Sequence, residues 1–277
     1  MTLDGEARLA GVLGWPIAHS RSPRLHGHWL AQYRIKGAYV PLAVHPDDLE
    51  RAVEGLVALG FRGANVTLPH KERVAALCDR VSERARRIGA VNTLVVRDGR
   101  LEGDNSDGFG FIENLKERED AWEPTRPAVV LGAGGAARAI LVALLEAGVR
   151  EIRLLNRTRA RAEALAEELG RNIRVLDWGT WDDALGETGL LVNTTSLGMS
   201  GQPPLEIDLR ALPASALVND IVYVPLETPL LAAARARGNP AVDGLGMLLH
   251  QARPGFEAWF GVAPQVTPAL RQAVLEA

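Results

Sequence analysis

The chain has 277 residues, of which 47% are hydrophobic, and a formal net charge of −3 at pH 7. This length favours two domains, and the charge pattern, without long runs of one sign, gives no indication of nucleic acid or a membrane as partner. No apolar run approaches the roughly 20 residues of a membrane span, and residues 1–10 lack the features of a signal peptide. A single cysteine, Cys78, excludes an intrachain disulfide and a cysteine cluster for metal. The composition therefore predicts a cytoplasmic protein that binds a small molecule and no metal.

Strands and helices alternate along the first hundred residues, which predicts an α/β domain. Prolines mark expected helix starts at Pro23, Pro46 and Pro69. Apolar, β-rich runs predict strands at Arg8–Leu13, Ala38–Val44, Ala64–Leu68 and Ala90–Val96.

A polar connection at Glu117–Pro127 precedes a second alternating region, and we expect the second domain to begin before it, at Phe109. Its strands are expected near Val129, Glu151, Ile173, Leu190 and Leu217, with helices at Arg161–Leu169, Met247–Phe260 and Leu270–Leu275.

A glycine-rich turn is the most informative motif of the chain. The apolar strand at Val129 runs into Gly132-Ala133-Gly134-Gly135-Ala136-Ala137 and then into an apolar helix that ends near Gly148. Gly132 permits a tight turn, Gly134 lets backbone approach a pyrophosphate, and Ala137 replaces the third glycine of the usual fingerprint. The alternative is a glycine-rich turn without a ligand, but the second strand at Glu151 supplies the βαβ context of a dinucleotide site.

The residues after that second strand indicate which dinucleotide is bound. An NAD site usually has Asp or Glu there, whereas this chain has Asn156-Arg157-Thr158. Arg157, with Arg159 and Arg161 nearby, suits a 2′-phosphate, so the expected cofactor is NADP. The alternative is that these arginines only begin a solvated helix, and we assign Arg159 to that role.

Polar segments at strand ends predict the substrate site, which we expect where the first domain faces the glycine-rich turn. Ser20 and Ser22 precede the helix expected at Pro23. Ser22 has the chemistry of a helix N-cap, but a pair of hydroxyls beside free N–H groups also suits a carboxylate.

Lys71 and Asp107 are the expected acid/base pair. The segment Asn65-Val66-Thr67-Leu68-Pro69-His70-Lys71 leaves a strand and enters a predicted helix, so Lys71 lies near a helix start. A cation there is disfavoured by the helix dipole unless a carboxylate or substrate compensates. Such a lysine can exchange a proton in catalysis. Asp107, in Gly103-Asp104-Asn105-Ser106-Asp107-Gly108, is the nearest candidate carboxylate, and a helix-capping role for it is equally open.

These ordered motifs resemble the shikimate dehydrogenase family, which reduces 3-dehydroshikimate to shikimate with NADPH. The correspondence runs from Gly14 to Gln251 and includes Asn193-Thr194-Thr195-Ser196-Leu197-Gly198-Met199 and Asp220-Ile221-Val222-Tyr223. The resemblance implies two α/β domains around a cleft: a substrate and catalytic domain of residues 1–108 and 243–277, to which the C-terminal helices return, and a Rossmann-like NADP domain of residues 109–242.

The resemblance also implies residue roles. Lys71 is the expected acid/base residue with Asp107 as its catalytic partner, while Ser20 and Ser22 hold the substrate carboxylate. Ring hydroxyls are bound by Asn65, Thr67, Asn92, Asp107 and Gln251, and Tyr223 borders the site. The NADP site comprises Gly132, Ala133, Gly134, Gly135, Ala136, Ala137, Asn156, Arg157, Thr158, Arg161, Ile221, Gly244 and Met247.

The chain departs from the family pattern at Gly27, where His-Asn is more usual than His26-Gly27, and at Ser106, where threonine is common. His19, His26 and His70 are expected to make structural hydrogen bonds, and the tryptophans to pack. Three alternatives remain: a quinate/shikimate dehydrogenase, an aminoshikimate pathway enzyme, and a nonenzymatic NADP-sensing regulator. The expected assembly is a monomer or a homodimer.

Overall fold

A computed structural model describes residues 4–117 and 122–276. Part of the predicted polar connection, residues 118–121, lies outside the described residues. The chain divides into two compact units: Met1–Ser106 with Leu249–Ala277, here the first unit, and Asp107–Leu248, the second unit. The assignment of residues 1–108 and 243–277 to a substrate domain and of residues 109–242 to an NADP domain stays a prediction.

A six-stranded mixed sheet forms the centre of the first unit, in the order β2-β1-β3-β5-β6-β4. The β1–β2, β1–β3 and β4–β6 pairs are parallel, whereas β5 is antiparallel to both β3 and β6. Its strands are β1 (Arg8–Gly14), β2 (Gly37–Ala43), β3 (Gly63–Val66), β4 (Arg80–Val81), β5 (Thr93–Arg97) and β6 (Arg100–Asp104). Its N-terminal helices are α1 (Ser22–Gln32), α2 (Leu49–Ala58) and α3 (Glu83–Ile88), with 3-10 turns at Pro46–Asp48 and Arg73–Leu77.

A six-stranded parallel sheet forms the centre of the second unit, in the order β12-β11-β10-β7-β8-β9. Strands β7, β8, β10 and β11 are buried along their whole length, which suits a sheet covered on both faces. These strands are β7 (Ala128–Leu131), β8 (Ile152–Leu155), β9 (Ile173–Leu176), β10 (Leu190–Asn193), β11 (Leu217–Asp220) and β12 (Ala241–Val242). The helices are α4 (Asp107–Lys116), α5 (Gly135–Glu146), α6 (Arg159–Leu169), α7 (Trp181–Leu185) and α8 (Pro229–Ala236).

The two C-terminal helices are α9 (Leu245–Phe260) and α10 (Pro268–Leu275). Helix α9 starts in the second unit and ends in the first, and α10 belongs to the first unit, as the expected return of the C-terminal helices requires. Trp29 on α1 donates its indole N–H to the Gln265 carbonyl (3.0 Å), so α1 is fastened to the segment before α10.

An aromatic cluster fills part of the first unit and encloses a histidine. The His26 ring stacks on Tyr39 with ring centroids 3.9 Å apart, and Phe256 and Trp259 pack around it. Burial lowers the pKa of His26 to about 3, an effect that the nearby Asn65 side chain opposes, and neither ring nitrogen has a well-formed hydrogen bond. The expected structural hydrogen bond of His26 is therefore replaced by ring packing.

Several predicted helix starts differ from the structure: α9 and α10 each begin two residues earlier than predicted, and α2 begins at Leu49, after the 3-10 turn at Pro46. Helix α6 begins at Arg159 rather than Arg161. No α-helix follows Pro69: the chain makes two turns and then the 3-10 turn Arg73–Leu77. The Lys71 carbonyl instead accepts a hydrogen bond from the amide of Val91 (2.8 Å), a residue distant in sequence.

In the described part of the chain, no helix has the length and apolar character that a membrane span requires. Likewise, no cluster of three or more His, Cys, Asp or Glu side chains among the described residues is placed to hold a metal ion.

Candidate active site

A network of polar side chains crosses the buried strands of the first unit. The Tyr39 hydroxyl on β2 donates to Asn65 Oδ1 (2.7 Å), and Asn65 Nδ2 donates to the Asn92 carbonyl (3.2 Å) and Thr93 Oγ1 (3.4 Å). Antiparallel pairing of β3 with β5 sets Asn65 opposite Thr93. The register of the sheet therefore brings two predicted site residues, Asn65 and Asn92, together.

The Asn92 side chain has a defined orientation. Its Oδ1 accepts from the Thr93 hydroxyl (2.8 Å), the Ser106 amide (2.9 Å) and the Ser106 hydroxyl (3.1 Å). Three donors fix this atom as the oxygen, so the NH₂ group lies on the other side, where it donates to Gln251 Oε1 (3.4 Å) on α9. A third predicted site residue, Gln251, thus joins the cluster. We call Tyr39, Asn65, Asn92, Thr93, Ser106 and Gln251 the amide network.

Sequence reasoning named neither Tyr39 nor Thr93 as part of the site. Both lie in strands and are buried, at 7% and 3% exposure. A polar group inside an apolar strand requires a hydrogen-bond partner, and that requirement was the available signal.

Ser20 and Ser22 join the same network through Tyr39. The Ser22 amide donates to Ser20 Oγ (3.3 Å), and burial raises the pKa of Tyr39 well above its usual value while a hydrogen bond with Ser22 opposes the shift. The expected N-cap role of Ser22 is wrong: Arg21 is the N-cap of α1, without a side-chain hydrogen bond, and Ser22 is the first helical residue. Capping therefore does not account for the two hydroxyls.

Lys71 lies in a turn beside this cluster. Its carbonyl accepts the Val91 amide (2.8 Å), directly before Asn92, and its side chain is half-buried. The preceding His70 is buried, with Nε2 2.8 Å from the Val44 carbonyl, which gives it the structural role expected. The argument from a helix dipole does not apply to Lys71, since no α-helix begins there. Thr67 is also half-buried, and its carbonyl accepts the His70 amide (3.0 Å).

Asp107 and Tyr223 belong to the second unit, and both are half-buried. Asp107 is the first residue of α4, so its carboxylate lies in the first turn of that helix, where negative charge is favourable. The next residue, Gly108, permits close packing on α5, because a Cβ there would lie 3.0 Å from the Ala143 Cβ.

The turn between β7 and α5 has the features of a phosphate-binding turn. Gly132 has φ +109°, and a Cβ there would lie 2.6 Å from Thr194 Oγ1. Gly134 and Gly135 face open space, and no side chain caps the N-terminus of α5. Ala137 is fully buried, as expected where helix meets strand, while Ala133 and Ala136 are half-buried. Amide groups at an uncapped helix N-terminus next to open space fit a pyrophosphate.

Three arginines follow β8, and the structure separates their roles. Arg159 pairs with Glu163 (2.7 Å) and Asp177 (2.5 Å), which matches the structural role assigned to it. Arg157 and Arg161 are exposed, and in the described part of the chain neither pairs with a carboxylate. Asn156 Nδ2 donates to the Thr158 carbonyl (2.8 Å), which shapes the turn that carries Arg157. This end of β8 is therefore cationic.

Two further segments border the carboxyl end of the second sheet. The Ile221 amide donates to the Asn193 carbonyl (3.1 Å), which places Ile221 beside the end of β10. A Cβ at Gly244 would overlap the Ile221 backbone, so only glycine at 244 permits contact between the two segments. Half-buried Met247 follows in the first turn of α9.

Comparison with known proteins identifies matches along most of the chain. Residues 12–94 match the shikimate dehydrogenase substrate binding domain, residues 117–199 match shikimate / quinate 5-dehydrogenase, and residues 244–275 match the shikimate 5′-dehydrogenase C-terminal domain.

Individual relatives agree with these family matches. The chain is 65% identical to shikimate dehydrogenase (NADP(+)) of Rhodospirillum rubrum over 99% of both chains. Shikimate 5-dehydrogenase of Thermus thermophilus, in complex with NADP(H) and shikimate, is 38% identical with a TM-score of 0.87 over 97% of this chain and 99% of that one. Quinate dehydrogenase of Corynebacterium glutamicum, in complex with NAD, is 32% identical, with a TM-score of 0.91 over 98% of this chain and 99% of that one. The chain belongs to the shikimate dehydrogenase family.

Proposed function

We propose that the chain catalyses the reversible, NADPH-dependent reduction of 3-dehydroshikimate to shikimate. The amide network carries this proposal. It offers amide and hydroxyl groups from three strands of the first unit and from α9, and such groups suit a small molecule with several ring hydroxyls. Membership of the family, with relatives of this activity at high identity, supports the same substrate.

NADP fits the glycine turn and the cationic end of β8. The pyrophosphate of NADP would be held by the Gly132–Ala137 segment. Its 2′-phosphate and ribose would be held by Asn156, Arg157, Thr158 and Arg161. The rest of the NADP molecule would contact Ile221, Gly244 and Met247. An arginine without a carboxylate partner is suited to a phosphate. When bound, NADPH supplies the hydride for the ring carbonyl.

The chain's own residues orient the substrate. Ser20 and Ser22 would hold its carboxylate, through hydroxyl groups near the start of α1. Ring hydroxyls would be bound by Asn65, Thr67, Asn92, Asp107 and Gln251, with Tyr223 at the border. The NH₂ group of Asn92 is pre-oriented by three donors on its Oδ1, so binding costs little side-chain entropy there.

Lys71 and Asp107 carry the proton chemistry of the proposal. Lys71 protonates the oxygen that becomes the new hydroxyl, or stabilises it as an alkoxide by a hydrogen bond. Asp107 holds that oxygen and a neighbouring hydroxyl. No step of this mechanism calls for a metal ion.

The proposal also assigns the wider roles of the chain. Residues 1–108 with 243–277 would form the substrate domain and residues 109–242 the NADP domain. The enzyme would act in the cytoplasm, as a monomer or a homodimer, in the synthesis of chorismate and the aromatic amino acids.

The closest rival is a quinate/shikimate dehydrogenase that accepts NAD, a possibility raised by the likeness to quinate dehydrogenase. Arg157 opposes it, because a cationic side chain after β8 favours a 2′-phosphate over a bare ribose.

Absorbance at the NADPH band tests the proposal directly. Purified protein is mixed with NADP⁺ or NAD⁺ and with shikimate or quinate, in all four pairs. We expect rapid reduction only with shikimate and NADP⁺. Comparable rates with quinate or NAD⁺ would favour the rival enzyme, and no reaction with any pair would favour an NADP-sensing regulator.

A further inference from the structure

Asp220 is a fully buried carboxylate at the carboxyl end of β11 with no role in the proposed chemistry. Its Oδ1 accepts from Asn193 Nδ2 (3.0 Å) and the Val222 amide (3.0 Å), and its Oδ2 accepts from the Thr228 hydroxyl (2.7 Å). A single carboxylate therefore contacts the end of β10, the segment after β11 and the N-cap of α8.

Asn193 continues this set of contacts toward the glycine turn. Its Oδ1 accepts the amide (3.0 Å) and hydroxyl (2.7 Å) of Thr195, and its Nδ2 also donates to the Leu197 carbonyl (3.2 Å). Thr195 and its neighbour Thr194 pack against Gly132: a Cβ at Gly132 would lie 3.0 Å from Thr195 Cγ2. Asp220 is thus two hydrogen bonds away from the residues that shape the turn.

Other charges do not account for these contacts. The segments around Asp220 carry Tyr223, Glu227, Arg235 and Asp243, while β7, β10 and the 193–199 segment carry no titratable side chain. Glu227 pairs with Arg235 (2.6 Å) at the surface, and Asp243 accepts the Leu245 amide (3.0 Å). The partners of Asp220 are therefore neutral donors.

We propose that Asp220 is a positioning residue for NADP: as a carboxylate it fastens the 193–199 segment to the 221–228 segment and so holds the backbone beside the glycine turn. This inference rests on the proposed NADP site, to which Gly132 and Ile221 belong. A protonated or amide side chain cannot accept at both oxygens in the same way, so the neutral form weakens the link.

The protonation state supplies a readout that a purely structural role does not share. Burial raises the pKa of Asp220 to about 6, against hydrogen bonds from Thr228, Val222 and Asn193 that lower it. With this pKa Asp220 is mostly ionised at pH 8 and mostly neutral at pH 5, so at pH 5 we expect the wild type to resemble an Asp220→Asn variant.

The experiment compares the Kd for NADP⁺ of the wild type and Asp220→Asn by calorimetric titration between pH 5 and 8. The NADP⁺ phosphate itself titrates near pH 6, so the measured quantity is the ratio of the two Kd values, in which that titration cancels. We expect a ratio of about 10 at pH 8, consistent with the loss of charge-assisted hydrogen bonds, that falls toward 1 at pH 5. A ratio near 1 at pH 8, or one that is constant with pH, overturns the proposal.

A second pair of variants addresses the link itself. Thr228→Val removes the donor to Asp220 Oδ2, whereas Thr228→Ser keeps the hydroxyl. Loss of a donor to the carboxylate raises its pKa. We expect the pH at which NADP⁺ binding weakens to rise in Thr228→Val and to stay unchanged in Thr228→Ser. Equal profiles for the two variants contradict the proposal.

Arg157→Ala separates this inference from the proposed function. If Arg157→Ala weakens NADP⁺ binding and Asp220→Asn does not, the NADP site stands and the role of Asp220 is wrong. If neither variant weakens binding, both the site and the role are wrong.

Discussion

Lys71 carries out the proton transfer of the proposed reaction, and its surroundings make its role testable. The residue lies in a turn near Asn92 rather than at a helix start, and its carbonyl accepts the Val91 amide (2.8 Å). The backbone is therefore held by contacts that do not involve the ammonium group. Replacement of the side chain should leave this turn in place.

For Lys71→Met we expect kcat for shikimate oxidation to fall by about 10²–10⁴-fold, the usual range for general acid/base catalysis, with KM for shikimate changed little. Steady-state kinetics over a range of pH measures both. Lys36→Met is the matched control, since Lys36 pairs with Asp4 (2.7 Å) at an exposed site. Turnover like that of the wild type, with the same pH dependence, contradicts the assignment.

Ser106 illustrates how a departure from the family pattern is accommodated. Its hydroxyl lies 3.1 Å from Asn92 Oδ1 and 3.3 Å from Thr93 Oγ1. Both contacts require only an oxygen on Cβ, which serine and threonine share. The substitution therefore preserves the orientation of Asn92.

In the proposed NADP site, the turn from β7 into α5 contains two glycines, Gly132 and Gly134, that are required for different physical reasons. Gly132 combines φ +109° with contacts to Thr194 and Thr195, so a side chain is excluded by the protein itself. Gly134 has φ −98° and ψ −173°, which any residue adopts, and nothing surrounds it. Nothing within the described structure requires glycine at 134, so the proposed contact with NADP is what would require it.

We therefore expect Gly132→Ala to lower the stability of the protein by ~1–3 kcal/mol, the usual cost of a strained backbone position, and to weaken NADP⁺ binding as well. Gly134→Ala should leave Tm unchanged and still weaken NADP⁺ binding. Thermal unfolding and titration with NADP⁺ measure the two effects. A lower Tm for Gly134→Ala, or an unchanged Tm for Gly132→Ala, would contradict this division.

At the scale of elements, the sequence predicted four of the parallel strands of the second unit because each contains a short, mostly apolar run, and each is buried along its length. It missed β6, although Asp98-Gly99 between β5 and β6 has positive φ at both residues and is a strong hairpin signal. The α-helix predicted at Pro69 is not formed. The local sequence pattern does not reveal that the Lys71 carbonyl accepts a hydrogen bond from the distant Val91 amide.

The same limit applies to the candidate site. Asn65, Asn92 and Gln251 were predicted from family motifs, and the structure brings them together. Tyr39 reaches Asn65 from another strand, and Ser106 reaches Asn92 from 14 residues further along the chain, so these contacts depend on register, which periodicity alone does not determine.

For the whole molecule, two buried groups, one in each unit, are expected to change stability in opposite directions as pH falls. His26 in the first unit has its pKa lowered to about 3 by burial, so between pH 6.5 and 3 the unfolded chain binds more protons and stability falls as pH falls. Asp220 in the second unit has its pKa raised to about 6 by burial, so between pH 6 and 4 the folded chain binds more protons than the unfolded chain, and this group's contribution to stability rises as pH falls.

His26→Phe keeps an aromatic ring in the stack but cannot be protonated. When the pH is lowered from 7 to 4, we expect its unfolding free energy to rise by ~3 kcal/mol relative to that of the wild type. Urea unfolding at both pH values measures the difference. Asp220→Asn serves as the companion of opposite sign: its unfolding free energy relative to that of the wild type should fall from pH 7 to pH 4. A difference for His26→Phe that does not change with pH would show that burial does not suppress protonation of His26.

The aromatic cluster around His26 also has a consequence for synthesis of the chain on the ribosome. Phe256 and Trp259 pack with Tyr39 and His26, yet they are translated after the whole of the second unit. Residues 107–248 emerge as one uninterrupted unit that can fold as soon as it is made, whereas residues 1–106 wait for α9. The unit whose translation begins first is therefore the last to complete its fold. Until α9 is made, its apolar strands stay exposed on the ribosome, and chaperones have their longest opportunity to bind them.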